Sequence, residues 1–539
     1  MLDLDSGEEL AVHVVPYAHG VIDRHLIGTD EPLPSDWALQ HPGDWTDVIE
    51  RGVPAALAEA GVSGERITGL GVDFTSCTVL PADADGVPLC LTPRWRQHRH
   101  AWPKLWKHHA AQRVADRLNE VALERDEPFL ARYGGRISSE WYFPKLIEVW
   151  DEDREVYDAC DVFLEGTDWI VWWLTGRLVR QSTTAGYKAM WSPTEGLPPV
   201  AYFAAAYPGF DHPAEKLGTR FEPLGTRAGT LRPGLAAKLG LPGADAGADT
   251  DPDTDADADA VAVAVGNVDS FVSVPGAGVE LPRTFVMVIG TSICDMVVDP
   301  VEVRLPGITG VARDGILPGL YGYEAGQAAV GDMLAWFVRM VGTGESHAAF
   351  EARAAEVGPG SSGLVALDWF NGNRTILADA DLSGSILGLT LQTTAAEIYR
   401  ALLESIAFGN RRIMDNFTEH GLALDRIVAC GGIAERSPLT MQIIADVSGR
   451  EVDVPASGEV PARGAALFGA VAAGAFADIG TAVQATRPAV ARTYAPNPDA
   501  GAVYERVYPI FGELHDLLGR SRPQLLHELK RIRSERRQS

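Results

Sequence analysis

Hydrophobic residues in the second half of the chain stop at one short polar segment and then resume. The apolar run at residues 285–289 is followed by Gly290, Thr291 and Ser292, and apolar residues return from Met296. A short, uninterrupted apolar run is consistent with a buried strand. The pattern therefore predicts a hairpin of two strands whose tip is made of small, hydroxylated residues.

Further along the chain, predicted helices and strands alternate. Residues 394–397, TAAE, match a capping box that begins a long helix. RIVAC at 426–430 predicts a strand, the glycine pair at 431–432 a tight turn, and Ser437-Pro438 the N-cap and first residue of another helix. EVDVP at 451–455 predicts a further strand, and RGAALFGAVAAG at 463–474 predicts a helix rich in small residues. This alternation predicts an α/β domain with ligand sites at the ends of its strands.

The first half shows a similar pattern. Residues 66–89 predict a strand that runs into a polar tip, a second strand and a DADG turn. Residues 161–176 contain a predicted helix that ends at Gly176. Its tryptophans recur at spacings of three and four, which favours core packing over ligand binding. His108 and His109 lack a ligand partner at helical spacing, and we expect both on the surface.

Composition and charge narrow the range of functions. At 539 residues the chain is too long for one ordinary core, so two domains are expected. The net charge of −27 argues against nucleic acid and anionic membranes as partners, because both require a basic surface. The five scattered cysteines indicate neither a disulfide framework nor a zinc site. With no secretory signal pattern and no apolar run of membrane-spanning length, the expected location is cytoplasmic.

An acidic segment separates the two halves. Residues 244–260 contain seven aspartates and no lysine or arginine, which predicts a disordered insertion. The spacing of Asp251, Asp253 and Asp255 imitates a calcium-binding loop. Ala256 stands where such a loop needs glycine, however, and the expected glutamate at the twelfth position is missing. A solvated insertion is therefore favoured over a metal site.

Three motifs together suggest a nucleotide-dependent reaction. The tip at 290–292 exposes backbone N–H groups and hydroxyls to phosphate oxygens, because its glycine has no side chain to obstruct an anion. The glycine pair at 431–432 offers bare backbone to a base or ribose ahead of a helix N-terminus. Asp269 follows a predicted strand. Taken alone, Asp269 would be assigned to a turn or an N-cap. It becomes a candidate functional residue only because the other two motifs surround it in the same domain.

Nine segments together resemble the FGGY carbohydrate kinases and, within that family, the ribulokinases. They occur in family order over most of residues 1–480. They are GVDFTSCTVLP (71–81), GGRISSEWYFPK (134–145), EGTDWIVWWLTG (165–176), TTAGYKAMW (183–191), GNVDS (266–270), VIGTSICDMVV (288–298), GYEAGQAAVGDMLAWF (322–337), LDWFNGNRT (367–375) and CGGIAERSPLTMQIIADV (430–447). The first, third and eighth segments are those that point to ribulokinases.

The resemblance implies an α/β fold of two actin-like ATPase (ribonuclease H-like) domains that flank a catalytic cleft. The chain then divides into four parts: an N-terminal sugar-binding domain (1–243), the acidic insertion (244–260), a C-terminal nucleotide-binding domain (261–490) and a helical tail (491–539). The implied reaction is transfer of phosphate from ATP, with Mg²⁺, to the terminal hydroxyl of L-ribulose. The product would be L-ribulose 5-phosphate, as in arabinose catabolism. The resemblance is also compatible with a homo-oligomer.

The resemblance also implies roles for individual residues. Asp269 would be the general base and would contact the sugar. The sugar pocket would be lined by Asp73, Ser76, Cys77, Lys188 and Glu324. Phosphate would bind at Gly290, Thr291 and Ser292, and the adenosine part of ATP at Gly431 and Gly432. No metal ligand is assigned.

The residues by themselves leave other interpretations open. Lys188 would also fit a solvated lysine, and Glu324 with Gln327 would fit the polar face of a helix. The substrate could instead be another ketose or a polyol, such as D-ribulose or xylulose. A relative that binds sugar or nucleotide without catalysis is a further alternative.

The N-terminus departs from the family pattern. An actin-like ATPase has a phosphate hairpin in each domain, and the first begins with a strand and an Asp-Phe-Gly-Thr tip. Residues 2–14 are interpreted as the end of a strand, a DSG turn and the next strand, which match the far side of that hairpin and beyond. Either the sequence starts late or the protein lacks the strand and its Mg²⁺-organising carboxylate. We favour the first explanation, because losing a central strand would unpair its neighbours. The chain as written is expected to be poorly active and poorly stable.

Overall fold

A computed structural model describes residues 1–243, 260–342 and 344–538 of the chain. The predicted acidic insertion lies outside the described residues except for Ala260, which is buried. None of the described helices combines the length and apolarity needed to cross a bilayer.

The described residues form mixed α/β structure. The strands are β1 Gly69–Leu70, β2 Asp73–Phe74, β3 Val79–Ala82, β4 Val162–Glu165, β5 Arg227–Thr230, β6 Ala262–Ala264, β7 Asn267–Val268, β8 Thr284–Ile289, β9 Ile293–Asp299, β10 Gly310–Arg313, β11 Tyr321–Gln327, β12 Val365–Leu367, β13 Ser385–Leu387, β14 Arg426–Cys430, β15 Val452–Pro455 and β16 Val490–Tyr494. The α-helices are α1 Pro42–Ala60, α2 Gln112–Glu124, α3 Tyr142–Glu152, α4 Arg154–Ala159, α5 Gly166–Thr175, α6 Ser182–Lys188, α7 Val200–Ala206, α8 Pro233–Leu239, α9 Asp269–Gly276, α10 Gly331–Val341, α11 His347–Glu356, α12 Ala395–Glu419, α13 Gly432–Arg436, α14 Pro438–Ser448, α15 Val460–Ala472, α16 Ile479–Thr486, α17 Pro498–Asp516 and α18 Gln524–Gln538.

A seven-stranded sheet organises the C-terminal half, in the order β10-β11-β9-β8-β14-β15-β16. Strands β8 and β9 pair antiparallel around the predicted tip, which confirms the hairpin, and β14 runs parallel to β8. The predicted capping box at Thr394 and Glu397 begins α12, because each side chain bonds the backbone N–H of the other residue. The apolar stripe of α12 packs into the same core as β8 and β14.

Short strands build the N-terminal half. Strand β6 lies between β1 and β5, and β7 pairs in parallel with β2. Residues 262–268, which directly follow the acidic segment, therefore pair with strands that precede that segment in the chain. At the other end of the predicted C-terminal domain, β16 crosses the boundary placed at residue 490. Helix α17 also adds Tyr504 and Phe511 to the core of the C-terminal half.

Helix α15 confirms the predicted small-residue helix and packs closely against α9. A Cβ on Gly464 would lie 1.8 Å from the carbonyl oxygen of Val272, and one on Gly276 would lie 2.1 Å from that of Val460. The same helix covers β1, where a Cβ on Gly69 would lie 2.2 Å from the carbonyl oxygen of Gly469. The glycines therefore allow the backbones to approach at distances that any side chain would prevent.

Ser437 and Pro438 are the N-cap and first residue of α14, as predicted, although the Ser437 hydroxyl lies 2.6 Å from the Thr440 hydroxyl and does not bond the helix backbone. The predicted surface position of His108 is wrong. His108 is fully buried, and its Nε2 lies 3.0 Å from a carboxylate oxygen of the equally buried Glu148. That carboxylate also pairs with Lys104 at 2.9 Å. The attraction within this internal ion pair offsets part of the free-energy cost of removing these polar groups from water.

The N-terminal segment forms the predicted turn. Leu2 and Glu9 pair antiparallel, the Asp3 carboxylate accepts hydrogen bonds from the backbone and hydroxyl of Ser6, and Gly7 adopts a φ of 72°. The Arg463 side chain donates to the carbonyl oxygen of Gly7 at 2.9 Å. The turn is thereby attached to α15.

Candidate active site

Two carboxylates lie at the ends of adjacent parallel strands. In the register of β2 and β7, Asp73 is opposite Asn267, and Asp269 follows β7 as the first residue of α9. The backbone N–H of Ser270 donates to the Asp269 carboxylate at 2.6 Å. Burial raises the pKa of Asp269 to about 6, and burial together with the charge of Asp269 raises the pKa of Asp73 to about 7. Each carboxyl can therefore exchange a proton near neutral pH.

Lys188 and Glu324 form a buried ion pair from distant parts of the sequence. The Lys188 Nζ donates to the Glu324 carboxylate at 2.6 Å, and the two residues are only 3% and 6% exposed. Burial opposes the lysine charge, but attraction by Glu324 raises the pKa of Lys188 overall. The alternative of a solvated lysine is therefore wrong. The alternative of a polar helix face is also wrong, because Glu324 and Gln327 belong to strand β11.

The segment between β2 and β3 is held by a lysine that the sequence analysis did not single out. Cys77 has a φ of 61°, which is unusual for a residue other than glycine, and Ser76 precedes it in the same turn. The fully buried Lys145 on α3 donates to the carbonyl oxygens of Cys77 at 2.7 Å and Leu105 at 2.8 Å. A lone lysine in the apolar run FPKLIEVW was the available signal.

The tip at 290–292 is open on one side and fixed on the other. A Cβ on Gly290 would meet nothing within 4 Å, so the protein itself does not require glycine there. The carbonyl oxygens of Gly290 and Thr291 accept hydrogen bonds from Gly331 and Val330, at the start of α10. The positive end of the α10 dipole therefore lies beside the tip, which favours an anion at this position.

The glycine pair at 431–432 lies next to the end of strand β8, where the hairpin tip begins. Cys430 is opposite Val288 in the parallel β14–β8 register, so both strands end at one edge of the sheet. Gly431 has a φ of 92°, and a Cβ there would lie 2.7 Å from the carbonyl oxygen of Ile289. The pair leads into the short helix α13, which the sequence analysis did not predict, and only then into α14.

The electrostatic surroundings of Cys294 connect these groups. Cys294 lies on β9, two residues after the tip. Burial raises the pKa of its thiol to about 11, with smaller effects from Glu324, Asp269 and Lys188. Cys294 is also opposite Gly326 in the β9–β11 register, so the thiol that follows the tip and the Glu324 carboxylate lie on neighbouring strands. A hydroxylated tip, a titratable carboxylate and a paired cation are groups that phosphoryl transfer to a hydroxyl can use.

Comparison with known proteins identifies the family. Residues 285–473 match the model of the C-terminal domain of the FGGY family of carbohydrate kinases. A protein named ribulokinase from Halalkalibacterium halodurans is 46% identical over 99% of this chain and 95% of its own length. The chain belongs to the FGGY family of carbohydrate kinases. A second protein named ribulokinase, from Geobacillus thermodenitrificans, is 46% identical to this FGGY kinase. The match covers 98% of this chain and 94% of the length of the Geobacillus protein.

Solved structures agree with this membership. The crystal structure of a xylulose kinase from Rhodospirillum rubrum matches this FGGY kinase with a TM-score of 0.73 at 26% identity, over 93% of both chains. A ligand-bound xylulose kinase from Lactobacillus acidophilus has a TM-score of 0.75 at 18% identity, which supports the fold alone. The predicted architecture of two actin-like ATPase domains is confirmed. The chain is an ATP-dependent sugar kinase.

Proposed function

We propose that this kinase transfers the γ-phosphoryl group of ATP to the terminal hydroxyl of L-ribulose, giving L-ribulose 5-phosphate and ADP. The observation that carries the proposal is the buried Lys188–Glu324 pair, whose charges act on the raised pKa of Asp269. The identity of about 46% to proteins named ribulokinase supports ribulose as the substrate.

Asp269 is proposed as the general base. It accepts the proton of the terminal hydroxyl while the hydroxyl oxygen bonds to the γ-phosphorus. The bond from that phosphorus to the oxygen bridging it to the β-phosphate breaks, and ADP leaves. Thr291 and Ser292 with Gly290 would hold the phosphates, where oriented N–H and O–H groups offset the charge of the transferring group. Gly431 and Gly432 would lie against the adenosine part.

The sugar is proposed to bind between the two halves of the chain. Lys188 and Glu324 would hydrogen-bond its hydroxyl groups from one side, and Asp73, Ser76 and Cys77 would line the other side. Lys145 would hold the Cys77 turn in position. Sites built to hydrogen-bond a hydroxyl reject analogues that lack it by ~10⁴–10⁵-fold, so this polar lining would select polyhydroxylated substrates.

Mg²⁺ is proposed to accompany ATP. Asp73 and Asp269 lie at the ends of the paired strands β2 and β7. Carboxylate and phosphate oxygens are the ligands that Mg²⁺ prefers, so these two residues and the phosphates of ATP would hold the ion. The ion would neutralise phosphate charge. Because ATP is the donor, we place the reaction in the cytoplasm.

The rate should depend on pH through Asp269. A base must be deprotonated, so kcat/KM should rise with pH through about 6, the raised pKa of Asp269, and then level off. Lys188 lowers that pKa, so Lys188→Met should move the inflection to higher pH. Rates measured from pH 5 to 8 with wild type and variant test this. An inflection that stays in place after the substitution would contradict the assigned electrostatics.

A panel of sugars tests the proposed substrate. ADP release should be measured with L-ribulose, D-ribulose, D-xylulose, L-xylulose and glycerol, and the products analysed by mass spectrometry. We expect the highest kcat/KM with L-ribulose and one sugar phosphate formed per ADP. A higher kcat/KM for another ketose or polyol would reassign the substrate. Sugar binding without any sugar phosphate would indicate a non-catalytic relative.

A further inference from the structure

Arg374 lies in the cleft without a carboxylate bonded to it. The side chain is half-buried, and it forms no ion pair with any Asp or Glu in the part of the chain that the structure describes. Burial raises the pKa of the Cys294 thiol on β9, and the charge of Arg374 opposes that rise, so the two side chains lie near each other. Arginine is always charged, so a half-buried guanidinium without an anionic partner is a candidate site for an anionic ligand.

The backbone around Arg374 fixes it over the sheet. The Thr375 hydroxyl accepts a hydrogen bond from the N–H of Gly326 at 3.0 Å, and Gly326 is opposite Cys294 in the β11–β9 register. Gly326 has a φ of 150°, and a Cβ there would lie 2.1 Å from the carbonyl oxygen of Ile293, so the strands approach closely at this point. Arg374 is therefore anchored beside residues that directly follow the hairpin tip.

The loop that carries Arg374 is rigid. The Asn373 side chain accepts hydrogen bonds from the N–H groups of Ile376 and Leu377 at 3.0 and 2.9 Å. The backbones of Asn373 and Asp379 also pair with each other in both directions. The backbone that carries the guanidinium is thus held in place, and electrostatic stabilisation of a transition state requires such preorganised groups.

The acids near Arg374 already have other partners or lie beyond ion-pair distance of it. Burial opposes its charge, but Glu140, Cys294 and Glu324 raise the pKa of Arg374 overall. Glu324 is already bonded to Lys188, and Asp295, the acid next to Cys294, is bonded to Asn410 at 3.1 and 3.2 Å. Glu140 lies 3.9 Å from His109, and none of these three carboxylates forms an ion pair with Arg374, so the charge of Arg374 remains available to a ligand.

We propose that Arg374 binds the phosphoryl group that is transferred, contacting its non-bridging oxygens first in ATP and then in the sugar phosphate. The inference rests on the proposed function of phosphoryl transfer. A guanidinium offers a planar pair of N–H donors that matches two phosphate oxygens. Arginines that contact a transferring phosphoryl group contribute ~10³–10⁵-fold to kcat in enzymes that hydrolyse GTP. This assigns a catalytic role to a residue of the LDWFNGNRT segment.

Binding measurements on Arg374→Gln and Arg374→Lys test the proposal in the full-length kinase. The probes are ADP, the β,γ-imido analogue of ATP, and L-ribulose without nucleotide. In Arg374→Gln we expect kcat to fall ~10²–10³-fold, as for loss of one preorganised donor. The analogue should bind roughly tenfold more weakly, as for loss of about 1.4 kcal/mol. ADP and L-ribulose should bind as in wild type, and Arg374→Lys should recover part of kcat.

Arg136→Gln is the matched control. Arg136 is exposed and donates to the carbonyl oxygen of Ala378, so it contacts the same loop from the solvent side. This variant should keep wild-type kcat and affinities. Equal weakening of ADP and analogue binding, or weakening of L-ribulose binding alone, would overturn the assignment of Arg374, as would an unchanged kcat. If wild type phosphorylates no sugar but the analogue still requires Arg374, the proposed function fails and the phosphoryl contact stands.

Discussion

Replacing Asp269 by asparagine should lower kcat ~10²–10⁴-fold, the usual contribution of a positioned general base. Asparagine has nearly the same shape and can still accept the hydrogen bond from Ser270, but it cannot take up the proton of the sugar hydroxyl. The binding of ADP and L-ribulose should change little. Steady-state rates and calorimetric binding of both ligands measure the two parts of this prediction separately.

Asp168→Asn is the control for this substitution. Asp168 on α5 is also a buried carboxyl whose pKa burial raises to about 7, and it accepts a hydrogen bond from the Gln181 N–H. We assign it no part in the reaction and expect wild-type kcat from its asparagine variant. If Asp269→Asn turned over as fast as wild type, another group would have to be the base.

The second large effect concerns the Lys188–Glu324 pair. Lys188→Met should destabilise the protein by about 3–5 kcal/mol, because it leaves the Glu324 carboxylate buried without its partner. It should also weaken L-ribulose binding, because a cationic donor to the sugar is lost. Chemical denaturation measures the free energy of unfolding, and calorimetry measures the affinity for the sugar.

The double variant Lys188→Met, Glu324→Gln separates the structural role of the pair from its functional role. Replacing a whole buried ion pair by neutral residues is often neutral or stabilising, so most of the lost free energy of unfolding should return. Affinity for L-ribulose should stay low, since neither charged group is restored. Recovery of both stability and sugar affinity would mean that the pair holds the fold and does not contact the sugar.

The parts of the fold that could be predicted from the sequence depend on nearby residues. The hairpin around 290–292 follows from an apolar run interrupted by small polar residues, and the start of α12 follows from the capping box at 394–397. Both patterns encode backbone geometry within a few positions. The family resemblance supplied the rest of the architecture through the order of nine segments.

The pairing of distant side chains could not be predicted from local patterns. Lys188 and Glu324 are 136 positions apart and meet only because the fold places the end of α6 beside β11. Glu324 and Gln327 suggested a helix because a spacing of three suits a helix face, whereas tertiary pairing with β9 and β10 makes the segment a strand. His108 was assigned to the surface because its partner Glu148 lies 40 positions away.

We expect one cleft to hold the terminal hydroxyl of the sugar between Asp269 and a nucleotide bound at the hairpin tip. A crystal structure of the kinase with L-ribulose and the β,γ-imido analogue of ATP would show this arrangement. We predict the terminal hydroxyl within about 2.6–3.2 Å of the Asp269 carboxylate. We also predict the γ-phosphate at residues 290–292 and the adenosine against Gly431. A sugar bound in a different cavity from the nucleotide, or a terminal hydroxyl pointing away from Asp269, would contradict this expectation.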